Sequence, residues 1–95
     1  MRKEEFKELV MRVAKQMPEA KNVQVFGYEI FVTFNGFTRV VEFQSRDGAF
    51  KPFGTIRKEY VTELDQETIA LFNIFIDRVG LKIYEQYKQD PYFPG

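Results

Sequence analysis

Apolar side chains recur at three- and four-residue steps in Phe6, Leu9, Val10, Val13 and Met17, while Glu8 and Arg12 form an i,i+4 pair on the polar side. This period predicts an amphipathic helix from about Lys3 to Met17, ended by Pro18, whose ring biases the preceding residue away from helical angles. The period then changes to two. Tyr28 to Phe34 and Phe37 to Ser45 are β-rich runs separated only by Asn35-Gly36. A two-residue Asn-Gly loop supplies positive φ at both central positions, so it predicts a tight hairpin and fixes its register. Phe34 then faces Phe37, Val32 faces Arg39, Ile30 faces Val41 and Tyr28 faces Phe43 on one surface. Thr33 with Thr38, Phe31 with Val40, and Glu29 with Glu42 point the other way.

Before the hairpin, Val23 to Phe26 alternates, and Gly27 suggests a bulge or bend within one long first strand. After it, Ser45-Arg46-Asp47-Gly48 is a turn by composition. Ala49 to Gly54 carries Phe50, Pro52 and Phe53 without a clean period and reads as a loop with tucked aromatics. Thr55 to Val61 reads as a third strand, with Ile56 and Tyr60 inward, Thr55, Arg57 and Glu59 outward, and Lys58 breaking the inward set. Asp65 is placed to cap a final helix, with Gln66 and Glu67 in its first turn. Ile69, Phe72, Ile76, Val79, Ile83 and Tyr87 form its main stripe, Gly80 weakens its interior, and Asp90-Pro91 ends it. The tail Tyr92 to Gly95 is aromatic enough to pack back onto the body. The expected architecture is a single α+β domain over residues 1–95. It is a two-layer sandwich of order α-β-β-β-α, with an antiparallel sheet and both helices on one face.

Composition narrows the chemistry. Ninety-five residues with 44% hydrophobic content, including eleven phenylalanines and five tyrosines, suit one packed core. Fourteen basic and fourteen acidic side chains give zero formal charge, which disfavours a domain bound mainly to phosphates. The sequence has no cysteine and no histidine. That removes disulfides, thiolate sites, Ser-His-Asp and Cys-His nucleophilic sites, and the usual zinc ligands. No secretory pattern or membrane-length apolar run is present, so the expected setting is soluble and cytoplasmic. The six glycines are scattered and form no phosphate-binding loop. No cofactor, metal or small-molecule substrate is implied.

Two surfaces remain as candidates for contact. On the outward sheet face, Phe31 and Val40 pair beside Thr33-Thr38 and beside Glu29-Glu42, whose repulsion Arg57 is placed to relieve. Crowded carboxylates can raise a pKa, but glycosidase-like chemistry wants a cleft, which an open sheet does not offer. On the last helix, Leu71, Ile74 and Leu81 make a second apolar line, with Arg78 between. The simpler expectation is that one line meets the sheet and the other the first helix; the same line is the candidate interface for a partner or a second copy.

The element order resembles that of the double-stranded RNA-binding domain. The resemblance implies a lysine-rich start to the final helix, gripping phosphates across a groove. Here that segment reads Leu64-Asp65-Gln66-Glu67-Thr68, acidic where the family is basic. A looser nucleic-acid reading uses the mildly basic middle, Arg39, Arg57 and Lys58, with Phe31 as a stacking platform. The leading expectation is a small non-enzymatic module that acts by direct protein contact. A homodimer, or an inhibitor of a host protein encoded by a phage or mobile element, would fit it.

Overall fold

The structure, a computed structural model, describes residues 1–56 and 63–87. Its elements are α1 (Lys3–Lys15), β1 (Lys21–Phe26), β2 (Glu29–Phe34), β3 (Phe37–Gln44), β4 (Phe50–Ile56) and α2 (Gln66–Tyr87). The strands form one antiparallel meander in the order β1-β2-β3-β4, and the helices pack against it as the second layer of an α+β sandwich. Several expectations lie outside the described residues, the helix end at Asp90-Pro91 among them. The others are the outer part of the expected third strand, including Arg57, Lys58 and Tyr60; the pairing of Arg57 with the glutamates; the side chain of Tyr87; and the packing of the tail.

The central hairpin has the register that Asn35-Gly36 predicts. Asn35 takes φ 52° and Gly36 φ 83°, and Phe34 pairs Phe37, Val32 pairs Arg39 and Ile30 pairs Val41. The Phe43 N–H donates to the Tyr28 carbonyl at 2.8 Å, extending the ladder past the strand end. Ile30, Val32, Phe34, Val41 and Phe43 are buried on the helix-covered face. Phe6 of α1 meets them at one end, its ring centre 5.3 Å from Phe43, 5.5 Å from Tyr28 and 6.1 Å from Phe50. At the other end Phe34 lies 4.8 Å from Phe72 and 5.9 Å from Phe75 of α2. These tilted and edge-on contacts suit aromatic quadrupoles, so burial and geometry act together.

Four strands are present where the pattern predicts three, because the expected first strand is two. Gly27 is not a bend within one strand: Phe26 pairs Glu29, so Gly27 and Tyr28 close a second two-residue hairpin. Gly27 has φ 61°, the positive value that the first loop residue of a type II′ turn requires. A second difference is that β4 begins at Phe50: Ala49 to Gly54 reads as a loop because its period is broken, which delays the expected third strand to Thr55. Between the pairs Glu42–Thr55 and Gln44–Phe50 the ladder shifts, so β4 advances further than β3. Pro52 falls in that irregular stretch of an edge strand, where a missing N–H is tolerated. With four strands the order no longer matches that of the double-stranded RNA-binding domain.

Asp65 caps α2 as its position predicts. Its Oδ1 accepts the Thr68 N–H at 2.7 Å, while Thr68 Oγ1 also accepts the Asn35 side-chain amide at 3.1 Å. The hairpin turn and the helix start are thereby tied together. Hydrogen bonds from the Thr68 hydroxyl and from the Thr68 N–H hold the Asp65 carboxyl below its ordinary pKa. A depressed carboxylate stabilises the fold above the unfolded-state value of about 3.9, and that contribution is lost as pH falls through the lower folded value. Asp65→Ala should therefore lower Tm by a few degrees at pH 7, and the gap from the parent should close below about pH 4. Paired thermal melts across pH check this; a gap that is independent of pH would rule the carboxylate out as its source.

Candidate functional site

Helix α2 has two working sides. Phe72, Phe75, Val79 and Ile83 are buried against the sheet and α1. Phe75 therefore belongs to the core centre, while Ile69 and Ile76 of the expected stripe flank it half-buried. Steps of three and four also place Ala70, Asn73, Ile74, Asp77, Gly80, Leu81 and Tyr84 along one stripe, turned away from that centre. Ile74 is 42% exposed, Leu81 56% and Tyr84 57%, with Phe53 of the adjoining edge strand at 75%. A groove of about 430 Å³ runs between the two elements. Pro52, Phe53 and Gly54 border it on the β4 side and Asp77, Gly80 and Tyr84 on the α2 side.

The two glycines of the groove differ in kind. A Cβ on Gly54 would lie 2.4 Å from Phe43 Cζ, so packing demands glycine there. A Cβ on Gly80 would meet nothing within 4 Å. In a helix interior glycine is about 1 kcal/mol less favourable than alanine, and among the described residues no contact requires glycine here.

No family model, curated protein or solved structure matches this chain. Any functional reading therefore rests on its surfaces. Among the described residues, no group of three His, Cys, Asp or Glu is arranged to hold a metal ion. No described helix is long and apolar enough to cross a membrane.

The sequence-predicted contact residues separate into two sets. On α2, Leu71 is half-buried against the core, but Ile74 and Leu81 do not pack on α1 as the simpler expectation had it; they are exposed. The helix is rotated so that Leu71 alone of the three turns partly inward. On the sheet face opposite the helices Val40, paired with Phe31, is only 8% exposed. Phe31 is half-buried, with Phe26 edge-on at 5.5 Å and 89°. Phe26 is the more exposed ring there. Glu29 and Glu42 sit directly opposite, and Gln44 donates its side-chain amide to Glu29 at 2.6 Å.

The nucleic-acid set is not brought together by the described residues. Arg39 lies on the helix-covered side and Phe31 on the other, as their register partners dictate. The Arg39 side chain is 11% exposed and bridges to Glu63 at 3.2 Å. It also donates to the Thr38 carbonyl at 2.8 Å and lies 5.5 Å from the Phe37 ring centre. Sequence reasoning missed Phe53 and Tyr84. Phe53 was hidden in the broken period of β4, whereas Tyr84 was detectable as the residue ten places after Ile74.

Proposed function

We propose that this protein acts by direct contact with another protein, through the outer side of α2 and the edge of β4. The observation that carries this reading is the run of exposed large side chains Ile74, Leu81 and Tyr84 on the outer side of α2, next to a groove that Tyr84 shares with the exposed Phe53 of β4. Singly exposed apolar residues are ordinary, but adjacent large ones rimmed by charge mark interaction surfaces. Arg78, Lys82 and Glu85 supply that rim. A protein contact needs shape and apolar area more than catalytic groups, and this surface offers both.

Ile74→Glu and Leu81→Glu test the reading because both side chains are exposed. Each variant should melt within about 2–4 °C of the parent, as surface changes cost little. A photo-crosslinking residue at position 74 should yield one discrete protein adduct in the source cells, absent when Leu81→Glu is added. Unfolding of either variant, or an adduct indifferent to Leu81→Glu, would overturn the reading.

A further inference from the structure

Asp77 selects the kind of partner, on the reading that this surface is a protein contact. It lies midway along the stripe, seven residues from both Ala70 and Tyr84. In an isologous pairing the same patch meets itself. An antiparallel α2–α2 contact through this stripe would centre near Asp77, and a parallel one would pair every residue with its own copy. Either direction brings two Asp77 carboxylates together at the middle of an apolar contact, where like charges are least tolerated. The stripe is thus built against a second copy and in favour of a cation.

The rest of the stripe is fitted to a helix. Ala70 and Gly80 are small, so another helix axis can approach closely, while Ile74 between them and Leu81 and Tyr84 beyond Gly80 stand as ridges. Gly80 lines the groove at a helix position where, among the described residues, a Cβ would meet nothing within 4 Å. The irregular ladder and Pro52 make β4 a poor template for an added strand, which leaves side-chain packing as the mode of recognition. We propose that the partner lays an amphipathic helix along α2 and the β4 edge, with its apolar side chains in the groove and a lysine or arginine opposite Asp77.

A display library tests this without the natural partner. The probe is an alanine-based helix randomised at i, i+3, i+4, i+7, i+8 and i+11 and selected on the full chain. Enriched sequences should carry apolar residues at the facing positions and a basic residue at a central one. Their binding should fall about tenfold or more in Asp77→Lys, as for loss of a close charge pair at an interface. It should also vanish in Gly80→Leu, which fills the groove with a good helix former and should melt no lower than the parent. Enrichment without a basic preference, equal binding to Gly80→Leu, or no enrichment overturns the proposal. So does a dimer in sedimentation velocity that Gly80→Leu dissolves, because the occupant would then be a second copy. If the library fails while the position 74 adduct is lost in Leu81→Glu, only the helical, basic character of the partner falls; if that adduct fails too, the contact reading falls with it.

Discussion

Phe6→Ala should destabilise the protein by about 3–5 kcal/mol, the usual cost of removing a buried aromatic ring. The Phe6 ring is fully buried and touches the rings of Tyr28, Phe43 and Phe50. It is therefore the contact by which α1 grips β3, β4 and the β1–β2 turn at once. Those three neighbours belong to different elements and cannot collapse together into the space, so cavity formation adds to the lost transfer energy. Against a total of about 5–15 kcal/mol for a small domain, such a loss leaves the variant near the edge of folding. Met11→Ala on the same helix, at a partly exposed position, should change stability by less than about 1 kcal/mol. Urea denaturation of the two variants checks the contrast; a Phe6→Ala loss below about 1 kcal/mol would show that α1 is not anchored through this ring.

The fold was most legible where one local signal had one physical meaning. Asn35-Gly36 allows few backbone solutions, so it set the β2–β3 register residue by residue. Asp65 announced the helix start because a carboxylate before an apolar period has an obvious backbone donor to accept. Legibility failed where long-range packing decides. Gly27 admits a bend or a turn equally, and only the pairing of Phe26 with Glu29 chooses. Phe50 to Gly54 has no strand period because the ladder slips there, and a slip is a property of two strands, not one.

The candidate surface shows the same division. The apolar line through Ile74 and Leu81 was visible in the sequence, but whether it met α1 depended on the rotation of α2, which the large rings of Phe72 and Phe75 set against Phe34. On the sheet, period two placed Phe31 and Val40 on the uncovered face. It carried no information on how far Val40 would be exposed. A side chain's face is local; its exposure is collective.

Gly54→Ala should destabilise by about 1–3 kcal/mol, in the range for overpacking a filled core. The cause is a single neighbour. An added Cβ would lie 2.4, 2.6 and 2.9 Å from Cζ, Cε2 and Cε1 of Phe43. That ring is fully buried and is held in turn by Phe6, so it cannot swing aside without disturbing α1. The Gly54 φ lies outside the left-handed range, which leaves steric overlap, not backbone conformation, as the reason for glycine. Leucine lacks all three of the crowding atoms. Phe43→Leu should be destabilising alone, through the void it leaves, yet Gly54→Ala on that background should cost at least about 1 kcal/mol less than on the parent. A double-mutant cycle in urea reads the coupling directly. Additivity within about 0.5 kcal/mol would mean that the ring and the glycine are not packed against each other, and the placement of β4 under Phe43 would have to be redrawn.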